Sequence, residues 1–179
     1  MLITRSSFSS RASEMAPTIK LEQKSKLSSS EWKELGLQLR VLQDRELQWL
    51  SVFHEKQTGY CQIGVIWPEM TAKAAREAFK DSNLIYTARE PKTKKIIGFC
   101  AVEEKPKLGW ATCDGLYVDP KWRRRGIASD FLEMAFAQVK RDGLDSLELR
   151  VSVSNKEAQA LYKKLGFSTV ALKMEKWVW

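Results

Sequence analysis

The 179-residue sequence contains only one histidine, His54, and three cysteines, Cys61, Cys100 and Cys113. No two cysteines have the Cys-x-x-Cys spacing, and a structural zinc site needs about four Cys or His ligands, so the sequence predicts no metal site. The cysteines also give no sign of an oxidised disulfide framework. We therefore expect reduced, buried thiols in an intracellular, cytoplasmic protein.

Long apolar runs are also missing. One of the longest, Ile96 to Val102, is far shorter than the roughly 18 residues that a membrane-spanning helix needs, so we expect no membrane partner. Two phosphate-binding patterns, Gly-x-Gly-x-x-Gly and the Gly-Lys-Ser/Thr of nucleotide-binding loops, are absent as well. Their absence weakens the dinucleotide and nucleoside triphosphate interpretations.

Acidic residues are absent from Met1 to Ser13, which contains Arg5, Arg11 and five serines. Organelle transit peptides have this composition, so organelle targeting by residues 1–14 is one hypothesis. There are two alternatives: these residues form a disordered tail, or they come from a start codon upstream of a natural N-terminus at Met15. Because serine and lysine stay frequent as far as Ser30, we expect little packed structure before Glu31. This predicts a flexible or targeting segment at 1–30 and a single domain at 31–179.

The composition that is present, 44% hydrophobic and 29% charged, is typical of a globular chain with one sizeable core. The formal net charge of +8 indicates an anionic partner, because a basic surface attracts phosphate-bearing ligands. Nucleic acid, an acidic membrane and a phosphorylated cofactor each fit that charge. The positions of the basic residues must decide among them.

Hydrophobic periodicity predicts an α/β fold with a mixed sheet. A hairpin is expected where two apolar runs flank the turn residues Glu90 to Thr93. The predicted strands are Gly36–Leu42, Asn83–Ala88, Lys95–Glu103, Trp110–Val118, Leu147–Val153 and Phe167–Trp179. The predicted helices are Asp44–His54, Thr71–Lys80, Ile127–Arg141 and one between Asn155 and Gly166.

The segment from Val118 to Ser129 carries the strongest chemical signal. It joins a predicted strand to a predicted amphipathic helix and contains Arg123, Arg124, Arg125 and Gly126. A turn at this place exposes amide N–H groups that the helix cannot satisfy, and the helix dipole adds positive potential. The local physics predicts a phosphate or pyrophosphate site, with a solvated arginine cluster as the structural alternative.

Two blocks of this sequence together resemble the GNAT family of N-acetyltransferases. The family signature is Arg or Gln, two residues, Gly, one residue, then Gly or Ala, after a Val-x-Pro-x-aromatic segment. The residues that match it are Val118, Pro120, Trp122, Arg123, Gly126 and Ala128. A second family block is matched by Asn155, Leu161, Tyr162, Lys163, Gly166 and Phe167.

This resemblance implies a GNAT-like fold with antiparallel N-terminal strands, helices on both faces, and a central parallel pair that splays where its strands end near Val118 and Val153. It also implies acetyl-coenzyme A (acetyl-CoA) as co-substrate. The pyrophosphate would lie on the amides of Arg124 to Ser129, and the pantetheine would pair with the preceding strand. The residues implied for binding acetyl-CoA are Leu116, Tyr117, Val118, Arg123, Arg124, Arg125, Gly126, Ile127, Ala128, Ser129, Asn155 and Tyr162.

Catalytic roles follow from the resemblance and from the needs of the reaction. Tyr162 matches the family's usual acid, which would stabilise the departing thiolate, with a core aromatic as the alternative. Asp114 is our candidate for the base, with a solvated carboxylate as the alternative, and Glu103, Glu104 or water stay open for that role. Cys113 is a disfavoured nucleophile because no histidine is near it in sequence.

The sequence thus predicts an N-acetyltransferase that moves an acetyl group from acetyl-CoA to a primary amine by direct attack. Two alternatives are a nucleic-acid or anionic-surface binding module, which the glycine-interrupted basic cluster disfavours, and a non-catalytic acyl-CoA-binding homologue. A homodimer stays open. The acceptor amine is not predicted, because the family sets it with the segment that corresponds here to Asp44–Asp81.

Overall fold

The sheet contains five strands in the order β1-β2-β3-β4-β5. The computed structural model describes residues 19–24, 26–36, 76–77, 79–153 and 155–171. The first four strands are antiparallel neighbours, whereas β5 is parallel to β4. The mixed α/β sheet predicted from the sequence is therefore confirmed. The strands are β1 Lys20–Lys24, β2 Leu84–Arg89, β3 Ile96–Lys105, β4 Trp110–Val118 and β5 Ser146–Leu149.

Helices cover both faces of this sheet, as expected. Helix α1, Ile127–Arg141, has the predicted bounds, and α2 is Lys156–Lys164. A 3-10 turn, Pro120–Trp122, links β4 to α1. The face under α1, called here the α1 face, is built around Tyr86, Cys100, Val102, Cys113, Val118, Phe131, Leu132, Ala135 and Val139. The core on the opposite face contains Ile85, Phe99, Ala101 and Tyr117 from the sheet, together with Leu27, Leu35 and Phe79, which pack on them.

The N-terminal part of the described chain corrects one prediction. We expected little packed structure before Glu31, but β1 pairs with β2 along its whole length and buries Leu21. A helical segment at 29–36 follows and begins at a capping box, in which the main-chain N–H and hydroxyl of Ser28 both donate to the Glu31 carboxylate. The strand lacked a signal because its sequence, Lys-Leu-Glu-Gln-Lys, has a single apolar residue. Residues 1–18, including the targeting hypothesis, lie outside the described part.

Two strand predictions for the C-terminal part of the chain differ from the structure. Strand β5 ends at Leu149 instead of Val153, and Val153 is 59% exposed although the alternating pattern predicted it to point inward. Residues 167–171 form no strand, and 172–179 lie outside the described residues. The alternation of β5 continues in the sequence beyond the point where β4 stops pairing with it, so the pattern alone could not locate the end of the strand.

Several predicted elements fall largely outside the described ranges. Gly36, the first residue of the earliest predicted strand, is helical instead, and the rest of that strand is not described. The helix predicted at Asp44–His54 is not described at all. Within Thr71–Lys80, only residues 76–77 are described as helical. No helix in the described ranges combines the length and apolar character that crossing a bilayer would require.

Candidate active site

The parallel strands β4 and β5 separate beyond Cys113. Their register runs from Trp110 opposite Ser146 to Cys113 opposite Leu149, and the pairing ends there. Strand β4 nevertheless continues to Val118, paired on its other side with β3. The end of β4 therefore has an edge that β5 does not cover. This is the splay that the family resemblance implies, although it begins earlier than Val118 and Val153.

The uncovered edge offers main-chain groups at alternate residues. The N–H of Asp119 donates to the Ile97 carbonyl at 2.8 Å, so this pair is hydrogen-bonded across β3 and β4. Because bonded and non-bonded pairs alternate in antiparallel strands, Tyr117 is also bonded to β3. Leu116 and Val118 consequently direct their N–H and C=O groups to the uncovered edge. The side chain of Tyr117 stacks on Phe99 on the opposite face.

The turn before α1 presents its amides in the way that the sequence predicted. Arg124 and Gly126 adopt φ values of +62° and +85°, both in the left-handed region. In the described part of the chain, no acceptor is recorded for the main-chain N–H groups from Arg124 to Ser129, and Asp130 is the first to bond back, to Gly126. These N–H groups lie at the positive end of the α1 dipole. The turn can therefore bind an anion such as a diphosphate.

The three arginines of this turn have different environments. Arg123 is half-buried, and its Nε donates to the Val118 carbonyl oxygen at 3.0 Å. Arg125 lies over the Trp122 ring, 4.7 Å from the centroid. Arg124 is exposed. Arg125 is exposed as well, so the solvated-cluster alternative stays open for Arg124 and Arg125, whereas the Arg123 side chain is held by the protein.

Tyr162 of α2 packs against the α1 face, and it is close enough to Cys113, the last residue of β4 that pairs with β5, for that thiol to act on its phenol. Its ring contacts that of Phe167, with the centroids 5.9 Å apart. Burial raises the pKa of Tyr162 to about 12, and the nearby thiols of Cys113 and Cys100 add to that increase. The phenol is therefore fully protonated at neutral pH and can donate a hydrogen bond. The core-aromatic alternative holds as well, since the ring is packed while the hydroxyl keeps its proton.

Asn155 caps α2. Its Oδ1 accepts a hydrogen bond from the main-chain N–H of Ala158 at 3.1 Å. The capping role weighed from the sequence is therefore present in the structure. The residue is exposed, and the role towards pantetheine stays a prediction.

Asp114 occupies a β-bulge. Ala101 pairs with Gly115 and Val102 pairs with Cys113, so Asp114 is the extra residue between them. Its side chain is exposed, yet partial desolvation, and then the negative charge of Glu103, raise its pKa. The sequence placed Asp114 correctly on the strand but carried no signal for the bulge.

The two alternative carboxylates lie on different faces of the sheet. Phe99 and Ala101 lie on the opposite face, and alternation along β3 puts Glu103 there too, near Asp114. Glu104 points to the α1 face, where its Oε2 accepts from the Asn83 side chain at 2.6 Å. Burial and the neighbouring carboxylate of Asp142 raise the pKa of Glu104. Glu103 is therefore grouped with Asp114, whereas Glu104 is not.

Cys113 belongs to a buried thiol pair that the sequence analysis did not identify. Its sulfur lies 3.6 Å from that of Cys100, and both cysteines are free and buried. The hydrogen bond with Cys113, together with burial, raises the pKa of the Cys100 thiol well above its usual value. A nucleophilic cysteine needs a neighbouring base, whereas the partners found for the Cys113 sulfur among the described residues are the Cys100 thiol and the Gly115 carbonyl. The geometry supports the sequence argument against covalent catalysis.

Comparison with known families places these features in context. Residues 26–167 match the family described as acetyltransferase (GNAT) family. The protein belongs to the GNAT family. That match includes strands β2 to β5, helices α1 and α2, and the whole turn from Arg123 to Ser129. Strand β1 lies outside it.

Curated relatives of this GNAT protein match only a part of it. The alanine N-acetyltransferase for ribosomal protein bS18 from Escherichia coli (strain K12) is 35% identical over 66 residues, which is 37% of this chain and 45% of the relative. An L-amino acid N-acetyltransferase from the same organism is 34% identical over 70 residues, or 37% of this chain and 41% of the relative. The chain thus spans less than half the length of these relatives.

Solved structures match more of the chain at lower identity. An acetyltransferase from Trypanosoma brucei has a TM-score of 0.60 and 15% identity, covering 88% of this chain and 99% of that one. A ribosomal-protein-alanine N-acetyltransferase from Brucella melitensis biovar Abortus 2308 has a TM-score of 0.56 and 15% identity, covering 89% and 97%. At this identity the likeness shows the GNAT fold alone.

Proposed function

We propose that this GNAT protein is an acetyl-CoA-dependent N-acetyltransferase that acts on a primary amine. The observation that carries the proposal is the combination of two adjoining features: the uncovered edge of β4 at Leu116 and Val118, and the turn of free amides from Arg124 to Ser129. One offers hydrogen bonds to an extended chain of amides. The other offers N–H groups and positive charge to a diphosphate, and acetyl-CoA joins both chemical groups in one molecule.

The acyl donor fits these groups residue by residue. The N–H and C=O of Leu116 and the N–H of Val118 would pair with the pantetheine amides as a further strand does. The amides of the turn would bind the diphosphate, with the exposed side chain of Arg124 adding charge. For Tyr117 we propose a smaller contribution than the family resemblance implies, because its main chain is bonded to β3 and its side chain lies on the opposite face.

Acetyl transfer by direct attack needs a hydrogen-bond donor for the sulfur. The amine nitrogen forms a bond to the thioester carbonyl carbon, the carbon–sulfur bond breaks, and the electron pair leaves on sulfur as thiolate. A phenol with a pKa of about 12 is a weaker acid than a thiol, so Tyr162 stabilises the thiolate by donating a hydrogen bond more than by complete proton transfer. The packing of its ring against Phe167 and the α1 face would hold that donor in a fixed orientation.

The attacking amine must first lose a proton. Asp114 is the candidate that takes it, directly or through water, because it is exposed and follows Cys113, the last residue of β4 that pairs with β5. Its raised pKa makes it a better proton acceptor than an ordinary aspartate. Glu103 lies close enough to influence it and stays the second candidate, whereas Glu104 on the α1 face does not share that location.

For the acceptor we propose an α-amino group of a peptide or amino acid. Two relatives support this class, since their names specify alanine of a ribosomal protein and L-amino acids. Local charge is compatible with a protonated amine. The Asp114 carboxylate has two acidic neighbours, Glu103 and Asp81, and two basic neighbours, Lys105 and Arg150, so with Asp114 itself the acidic groups outnumber the basic ones by one.

The experiment is a calorimetric titration with acetyl-CoA followed by an amine panel with a free-thiol readout. The panel contains a peptide with a free N-terminal alanine, the same peptide with a blocked terminus and one lysine, free L-alanine and spermidine. We expect tight acetyl-CoA binding and thiol release with the free N-terminus or free amino acid. Release only with the blocked lysine peptide or with spermidine would contradict the acceptor class.

Two further outcomes would replace the proposal itself. Acetyl-CoA binding without thiol release from any amine would favour the non-catalytic homologue. No binding of acetyl-CoA, together with a steeply salt-dependent affinity for DNA or RNA, would favour the nucleic-acid alternative.

A further inference from the structure

Arg123 connects the two features on which donor binding depends. Its Nε donates to the Val118 carbonyl oxygen at 3.0 Å, while its main-chain N–H closes the 3-10 turn on Pro120. Immediately after it, the chain enters the left-handed conformation at Arg124 and begins the turn of free amides. The Arg123 side chain therefore fastens the start of that turn to the last residue of β4.

The hydrogen bond also changes what the uncovered edge offers. Leu116 and Val118 both direct N–H and C=O groups to this edge, as the alternation along β4 requires. The Val118 carbonyl already accepts from Arg123, whereas no partner is found for the Leu116 carbonyl among the described residues. An extended ligand that needs an acceptor therefore binds more favourably in the register that uses Leu116 than in one displaced by two residues along the strand.

We propose that Arg123 is a positioning residue for the acyl donor and that its side chain acts through the Val118 carbonyl, not as an anion ligand. This inference rests on the proposed function, because the ligand must carry both amides and a diphosphate. Fixing the turn relative to the edge fixes the distance between the two binding features. The thioester then arrives at one place along β4, opposite the gap and near Tyr162.

The alternative role is electrostatic, and the other two arginines help to separate the two. Arg124 is exposed and free to add charge at the turn, whereas the Arg123 side chain is half-buried and directed back to the strand. If Arg123 acts by position, the group that matters is the N–H attached to Cδ. If it acts by charge, the group that matters is the guanidinium as a whole.

Two substitutions separate the effect of the Arg123 hydrogen-bond donor from the effect of its charge. Both keep the length of the side chain nearly constant. In Arg123→Gln, Nε2 is attached to Cδ as Nε is in arginine, so a donor stays at the same place while the charge is lost. In Arg123→Met, neither donor nor charge is present. Arg124→Gln is the matched control, because it removes one charge from the exposed neighbour and keeps a non-glycine residue at φ +62°.

We expect Arg123→Gln to bind acetyl-CoA within about twofold of the wild type in calorimetry, and Arg123→Met to bind about fivefold to tenfold more weakly, as for one lost hydrogen bond. In steady-state assays the KM for acetyl-CoA should rise in Arg123→Met and be restored in Arg123→Gln. A merely structural defect would lower the active fraction, and with it kcat, without moving KM.

Equal losses in the two Arg123 variants would overturn the inference in favour of a charge effect, and wild-type binding in both would overturn it outright. If Arg123→Met does not fold, Arg123→Gln decides: it must bind acetyl-CoA at least as tightly as Arg124→Gln, and weaker binding overturns the inference. These results are distinct from failure of the proposed function, in which the wild-type protein itself does not bind acetyl-CoA.

Discussion

Gly115 of β4 lies directly under the ring of Phe79: a Cβ atom at Gly115 would stand 2.8 Å from one ring carbon of Phe79 and 2.9 Å from the next. The glycine follows the bulged residue Asp114, and Phe79 precedes β2 in a segment that covers the opposite face. Phe79 in turn meets Phe99 edge to face, with ring centroids 5.8 Å apart. This contact ties the bulge that exposes Asp114 to the buried aromatic cluster beneath it.

We predict that Gly115→Ala destabilises the fold by about 1–3 kcal/mol, since the added methyl group must displace buried ring atoms. Phe79→Leu in the same chain should relieve part of that clash. The double variant is therefore expected to be more stable than the sum of the two single effects. Urea unfolding of the four proteins measures this coupling, and strictly additive effects would show that the two residues do not compete for space.

Two glycines at opposite ends of α1 test the anion-binding turn. Gly126 precedes the helix with φ +85°, and Gly143 follows it with φ +74°. Alanine at either position costs conformational strain of order 1 kcal/mol. Only Gly126→Ala should also weaken acetyl-CoA binding, by tenfold or more, because it moves amides of the turn. Calorimetry supplies the affinities and thermal unfolding the stabilities; equal affinities in the two variants would remove the turn from the binding site.

Removing the Tyr162 hydroxyl should slow acetyl transfer. We expect Tyr162→Phe to lower kcat roughly tenfold to a hundredfold, because the thiolate loses its hydrogen bond. With a pKa of about 12, the phenol stays protonated throughout the usual assay range, so the loss should be equal from pH 6 to 10. Tyr86→Phe is the control, because it removes another buried tyrosine hydroxyl, one that has no hydrogen-bond partner among the described residues. Unchanged turnover in Tyr162→Phe at every pH would reject the assigned role.

The sequence predicted correctly those elements whose hydrophobic pattern begins and ends where the element itself does. Helix α1 was predicted with its observed bounds, because its apolar positions repeat with the helical period and Gly143 follows its end. Strand β4 was also predicted with its observed bounds, yet nothing in its sequence indicated that Asp114 would be an extra residue. A bulge depends on the register with β3, and register is a property of two strands.

The site shows the same division between local and non-local information. The free amides from Arg124 to Ser129 follow from a glycine turn before a helix, which one segment specifies by itself. The contact between Arg123 and Val118, the thiol pair and the early separation of β5 depend on tertiary packing. The sequence does not show whether a basic side chain contacts an anion or a carbonyl oxygen. The different contacts of the three arginines could therefore be identified only in the structure.

The bulged carboxylate should give the reaction its acid-side pH dependence. Asp114 must be ionised to accept a proton, and its pKa is raised, so kcat/KM should fall as the pH decreases through that raised value. We expect Asp114→Asn to lower kcat/KM and to remove this part of the profile. Glu103→Gln, which removes the neighbouring negative charge, should move the profile to lower pH with little loss of maximal rate. A Glu103→Gln variant that loses the activity instead would make Glu103 the base.

Glu31 should make the fold sensitive to acid. Its carboxylate, 8% exposed, accepts from Ser28 and pairs with Lys24 and Arg89, joining β1, the helical segment at 29–36 and β2. Burial opposes ionisation, but the hydrogen bonds from Lys24 and Ser28 and the charge of Lys24 outweigh it and lower the pKa from 4.5 to about 2. A lowered pKa in the folded state stabilises the fold above pH 4.5, and this contribution is lost as the pH falls from 4.5 towards 2.

Glu31→Gln should therefore cost about 2–3 kcal/mol at neutral pH, with a difference from the wild type that shrinks below pH 4.5. Urea unfolding between pH 7 and pH 3 measures both quantities. Glu77→Gln is the control, because its pair with Lys80 is exposed on both sides and should contribute much less than the buried Glu31 carboxylate. A Glu31→Gln penalty that stays constant down to pH 3 would show that packing, and not ionisation, is what this residue contributes.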